Sequence, residues 1–292
     1  MTTLTSRNGT LEIGSKQPTV LINDKFVVDP TEVSALEDLR AGRLEPWRAL
    51  ARWGREMGTD MVDILINHPD LDEVALLPAA AVAIHDEIGC PVSLDSRNPA
   101  ALDAALSALR PYKALINSVS AEPDCLESIL PLARKHGAAV VGMPIGPRSG
   151  VPRTSAGRLA EARTIVEAAT RHGIPPEDIV IDALVLASAV EPGSMAVTLE
   201  TLQALHRELG VATILGIGNA GFGMPEPTRI DLAYLLAALP WGLDAALVDP
   251  ATPGMVASVR AMDFLTGRDP YGLRYLEHYR RASRTARGGD VP

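Results

Sequence analysis

Short aliphatic runs alternate with longer amphipathic segments eight times along the chain. The runs fall at 19–23, 61–66, 92–95, 114–118, 138–143, 179–182, 212–217 and 245–248. They are nearly continuous in Val, Ile, Leu and Ala, with no polar alternation. That is the signature of parallel strands buried on both faces. The segments between them, at 47–57, 71–88, 99–109, 123–136, 155–172, 197–209, 230–239 and 255–265, carry helical patterns. Their ends are marked by specific residues. Pro99 and Pro123 suit the first turn of a helix, where a missing N–H costs nothing. Asn98 is a natural N-cap for the first of these. His136-Gly137 and His172-Gly173 read as helix ends, the glycine taking the left-handed position and the histidine sitting at the negative end of the dipole.

Strand–helix alternation implies a parallel sheet, and eight units imply closure into a single-domain (β/α)8 barrel of the TIM type. An open doubly wound sheet with two extra strands is the alternative. Residues 1–17 form an N-terminal extension, 18–267 the barrel, and 268–292 a basic, partly helical tail.

Composition narrows the function. Hydrophobic residues make up 47% of the 292 but aromatics only 4%, so the core must be aliphatic. The balance of 27 basic and 36 acidic residues, net −9, lacks the basic footprint of a nucleic-acid binder. Cys90 and Cys125 show neither zinc spacing nor a disulfide framework and read as thiols in a reducing compartment. No stretch reaches the ~18 apolar residues of a membrane span, and the first ten residues lack an apolar signal core. A cytoplasmic protein with no membrane partner is expected. His68 follows the second run alone, and a metal site needs several ligands, so no metal is expected.

In such a barrel the chemistry sits at the C-terminal strand ends. The third run ends on Asp95, the fourth on Asn117-Ser118, the sixth on Asp182, and the seventh leads through Gly216 to Asn219. Any one of these has an ordinary use as a cap or turn residue. Four strands delivering two carboxylates and two amides to one rim suit a neutral ring rich in N–H donors. A 2-amino-4-oxo-pyrimidine is such a ring. The turn GIGNAGFG (216–223) lacks the Lys-Ser/Thr ending of a phosphate loop.

The segments LDSRN (94–98), INSVSAE (116–122), IDALVLASAV (181–190), LGIGNAGFGMP (215–225) and GLDAALVDP (242–250) resemble the pterin-binding barrel family. Within it they look most like methyltetrahydrofolate:corrinoid protein methyltransferases. The resemblance implies that Asp95, Asn117 and Asp182 hold the pterin ring edge, with Ser118 and Gly216 in the same pocket. It implies that Asn219 sits by N5 as the catalytic residue. The substrates would be tetrahydrofolate or methyltetrahydrofolate and the cobalt of cobalamin on a partner corrinoid protein, and the enzyme would be a homodimer. Dihydropteroate synthase shares the barrel, but its cationic motifs after the last two strands are absent here.

The sequence departs from the family's pattern after the first strand (Leu21 to Phe26), the second (Asp63 to Asn67) and the fifth (Met143 to Pro152). Two other readings therefore stand beside the first. One is a pterin-dependent one-carbon transferase with a non-corrinoid acceptor; the other is a pterin-binding subunit without catalysis.

Overall fold

A computed structural model describes residues 1–27, 33–66 and 68–288. The chain begins with an antiparallel hairpin, β1 (Thr2–Ser6) and β2 (Gly9–Ile13). Eight parallel strands follow: β3 (Val20–Val27), β4 (Met61–Leu65), β5 (Val92–Asp95), β6 (Leu115–Ser120), β7 (Ala139–Met143), β8 (Ile179–Asp182), β9 (Ala212–Gly216) and β10 (Ala245–Val248). They are ordered as in the sequence, and β10 pairs with β3. That pairing makes a closed (β/α)8 barrel and removes the open-sheet alternative.

The outer ring holds α1 (Val33–Arg40), α2 (Glu45–Met57), α3 (Glu73–Ile88), α4 (Pro99–Ala108), α5 (Pro123–His136), α6 (Ser155–Arg171), α7 (Ser194–Ala204), α8 (Pro227–Ala238), α9 (Met255–Leu265) and α10 (Leu273–Gly288). The expected stops are present. The Asn98 side chain accepts from the N–H groups of Ala100 and Ala101 at 3.1 and 3.4 Å. Gly137 and Gly173 have φ of +65° and +76°. Several elements differ from expectation, β3 and β6 among them, which run on to Val27 and Ser120. Helix α7 begins earlier and yields to a π-helical turn over Leu205–Leu209. Helix α8 begins at Pro227, where the ring suits the first turn. Helix α1 was not foreseen.

Two apolar cores result. The outer one fills the space between sheet and helices, with Leu21, Val62, Leu94 and Ile116 from the strands. The inner one fills the barrel with Val20, Ile22, Met61, Leu115, Val141, Val180 and Ile214. Leu4 and Ile13 of the hairpin, both fully buried, belong to the inner core. The hairpin backbone bonds the loops before β5 and β6: Asn8 N–H donates to Gly89 O at 3.2 Å, and Thr5 N–H to Lys113 O at 3.2 Å. The N-terminal extension is thus the floor of the barrel, and the mouth lies at the other end.

Candidate active site at the barrel mouth

Successive strand residues face opposite sides. Ile22, Met61, Leu115, Val180, Ile214 and Leu247 face the inner core. Two residues further along their strands come Asp24, Asp63, Asn117, Asp182, Gly216 and Asp249, and in the β5–β6 register Asp95 pairs with Asn117. The inner wall therefore changes from aliphatic to acidic within one layer at the mouth. Asp95, Asn117, Asp182 and Gly216 were expected from the strand ends. Asp24, Asp63 and Asp249 were missed as site residues, although the same two-residue step from the inward apolar positions marks them.

The mouth is wired mostly on the β3–β6 side. Asn117 Nδ2 donates to Asp63 Oδ1 at 3.2 Å, and Ser93 also hydrogen-bonds Asp63. Ser118 is buried beside Asn117, where the β6–β7 register shifts. Lys25 Nζ lies 3.2 Å from Asp249 Oδ2. Across the barrel, Asp182 Oδ1 accepts from the Leu184 N–H at 2.8 Å. Asn219 is exposed on the turn after β9, its Nδ2 donating to Gly216 O at 3.4 Å. That turn approaches β3, since a Cβ on Gly218 would lie 3.9 Å from Asp24 Oδ2. Asn67, at the altered end of the second strand, lies outside the described residues. His68 is closed into its own loop, its Nδ1 accepting from the Asp70 N–H at 3.2 Å.

The carboxylates hold their protons unusually well. Burial, reinforced by Asp63 and opposed by Arg97, lifts Asp95 to about 7. Burial and then Asp249 lift Asp24 to about 6, against Lys25. Burial lifts Asp182 to about 6, against the Leu184 N–H and Arg158. Asp63 is also pushed up by burial. Desolvation disfavours the charged form in each case, and crowding of like charges adds to it.

A cleft of about 450 Å³ opens beside Asp95, lined by Leu65, Glu73, Ser96, Arg97 and Asn98. Of the expected site residues it takes in Asp95, and Asn117, Asp182 and Asn219 lie outside its lining. An acidic mouth repels phosphate but offers paired acceptors to an amino-pyrimidine edge. With protons held near neutrality it can also exchange one with a bound ring nitrogen.

The chain is 25% identical over 239 residues to a methylcorrinoid:tetrahydrofolate methyltransferase of Eubacterium limosum, covering 80% of this chain and 86% of that one. It is 30% identical over 204 residues to the methionine synthase of Mycobacterium tuberculosis; that match spans 65% of this chain but only 17% of the synthase. Among solved structures, the dihydropteroate synthase of Xanthomonas albilineans superposes with a TM-score of 0.68 at 20% identity, covering 91% of this chain and 99% of that one. The Yersinia pestis DHPS superposes with 0.67 at 17% identity and the same coverages. These two likenesses concern the fold. The family model described as "Pterin binding enzyme" matches residues 31–249, the whole strand-end array from β4 to Asp249 included. The chain belongs to the pterin binding enzyme family.

Proposed function

We propose that this protein is a tetrahydrofolate-dependent methyltransferase that moves a methyl group between N5 of (methyl)tetrahydrofolate and the cobalt of a corrinoid carried by a partner protein. The observation that carries the reading is Asp95, Asn117 and Asp182 at the strand ends of one mouth, with Asn219 on the turn after β9. The names of the two curated relatives, one acting between methylcorrinoid and tetrahydrofolate, supply the reaction class.

In this reading Asp95 and Asp182 accept from the donor edge of the pterin, and Asn117, braced on Asp63, fixes the amide contact. An N5-methyl amine leaves poorly until N5 is protonated. Once N5 carries a proton, Co(I) attacks the methyl carbon with its electron pair. The C–N5 pair then returns to nitrogen, giving methyl-cobalt and tetrahydrofolate. Asp95 and Asp24, with pKa values of about 7 and 6, keep proton occupancy in the mouth near neutral pH. Asn219 Oδ1 has no partner among the described residues and is free to accept from N5–H⁺. A contact made only after protonation stabilises the transition state more than the ground state, so it raises rate rather than affinity.

Calorimetric titration with methyltetrahydrofolate tests the common core. A Kd below about a millimolar is expected, and no heat at that level rejects the reading. Mixing the complex with Co(I) cobalamin and following its absorbance tests the acceptor. Loss of the Co(I) bands with appearance of methyl-cobalt is expected; bound pterin with no transfer points to another acceptor. Asn219→Ala should lower kcat roughly 10²–10³-fold, by analogy with removing one charge-stabilising contact, and leave the pterin Kd within a few-fold.

A further inference from the structure

Arg158, on the first turn of α6, is 1% exposed, yet it has no carboxylate within salt-bridge distance among the described residues. Its guanidinium is spent on neutral acceptors. Nε donates to Pro152 O at 3.1 Å. Nη1 reaches Ala183 O at 2.6 Å, Leu184 O at 2.8 Å and Thr198 Oγ1 at 3.0 Å. The Thr198 hydroxyl in turn donates to Leu184 O at 2.7 Å. One cation therefore ties the loop after β7, through Pro152, to the turn after β8, through Ala183 and Leu184.

That turn bears directly on the mouth. Leu184 holds φ +65°, a left-handed conformation that a branched side chain adopts only when its surroundings impose it. Its carbonyl is gripped by Arg158 and Thr198, and its N–H is accepted by Asp182. The charged and titratable groups facing Asp182 from packed elements are Arg158 of α6 and Tyr234 of α8. The Tyr234 hydroxyl is buried facing Thr198 and makes no well-formed hydrogen bond among the described residues. Burying a guanidinium without a counter-ion is costly, and here it is borne by four neutral acceptors. The compensation lies at Asp182, whose ionised form the cation favours across the barrel wall.

We propose that Arg158 is a positioning residue for the mouth: it locks the β8–α7 turn and lends its charge to Asp182, which that turn keeps aimed inward, ready to accept the ring edge. The ring's identity rests on the pterin reading above; the action on Asp182 does not. Arg158→Met and Arg158→Lys separate the two effects. With aspartate ¹³Cγ labelling and Asp182→Asn for assignment, NMR titration of Arg158→Met should place Asp182 roughly one pH unit higher than in the wild type. The acid limb of the pterin-binding pH profile should move up with it. Arg158→Lys keeps the charge but not the fork. It should leave the titration near that of the wild type and weaken pterin binding roughly tenfold at pH 7. A folded Arg158→Met with an unmoved Asp182 titration overturns the proposal. If Arg158→Met does not fold, Arg158→Lys decides, and undiminished pterin affinity in that variant overturns it. A shifted titration in a protein that binds no pterin upholds the positioning role and rejects the pterin reading instead.

Discussion

At the scale of single residues, the mouth sets stability against binding. Asp95 sits where burial and the Asp63 charge both resist ionisation, and its pKa stands at about 7 against an ordinary 3.8. A carboxyl whose folded pKa is raised favours the folded state fully below its unfolded pKa, and that contribution is lost as pH rises through the folded value. At pH 8 the ionised Asp95 is therefore a liability to the empty protein. Asp95→Asn should raise apo stability at pH 8 on the order of 1 kcal/mol after allowing for solvent screening, with no gain at pH 4. The same change removes a charged acceptor from the ring edge. It should weaken methyltetrahydrofolate roughly 10- to 100-fold, the worth of a hydrogen bond to a charged group. Urea denaturation at the two pH values and a titration calorimeter measure both. A variant that loses stability at pH 8 would make Asp95 a structural cap and not a ligand.

At the scale of elements, the hairpin β1–β2 closes the barrel floor. Leu4 and Ile13 fill the end of the inner core as fully buried side chains. Ile13→Ala should cost about 2–5 kcal/mol, as large-to-small changes in cores do, while leaving the distant mouth able to bind pterin. A thermal melt with and without methyltetrahydrofolate reads both effects; loss of binding in the still-folded variant would show that the floor governs the mouth. The hairpin was not legible as a hairpin because its strands are short and partly polar. Its one local signal is Asn8-Gly9, a pair typical of tight turns. The eight barrel strands were legible because burial on both faces leaves unbroken aliphatic runs. Asp24 and Asp63 were not read as site residues because they sit within or just past such runs, where a lone carboxylate gives no turn signal. Asp95, Asn117 and Asp182 stood out because each ends its run. Arg158 was invisible for the opposite reason: within a helix, an arginine reads as a solvated one, and only the fold shows it turned inward.

At the scale of the whole molecule, the two ends of the barrel treat charge differently. At the floor end, Asp60 and Asp244 are matched by cations, while Asp263, held by Thr19, is pushed up by burial. Asp60 meets Arg260 at 3.0 Å and also Arg274, and Asp244 meets Arg268 at 3.1 Å. The Arg260 and Arg274 charges hold Asp60 below the ordinary carboxylate range despite its burial. At the mouth, Asp24, Asp95 and Asp182 are under-compensated and raised to about 6, 7 and 6. The floor is thus arranged for stability and the mouth for a ligand, the usual division in this architecture. The signs give a pH window. The three mouth aspartates stabilise the apo fold below about pH 4, and their contribution fades as pH climbs through 6 to 7. Asp60 acts the other way: its contribution is present above the unfolded value and lost as pH falls through its depressed one. His85 and His278, pushed down chiefly by burial, and His206, pushed up chiefly by Asp244, add their own pH dependence. The mouth must therefore be isolated by difference. Relative to a triple variant with Asp24, Asp95 and Asp182 changed to Asn, the apo wild type should lose roughly 5 °C in Tm between pH 5 and pH 8. That corresponds to about 1 kcal/mol for each screened carboxylate at this chain length. Scanning calorimetry of both proteins across that range makes the comparison. Parallel Tm curves would mean that the mouth carboxylates are as well compensated as those at the floor, and the case for an electrostatically primed ring site would fail.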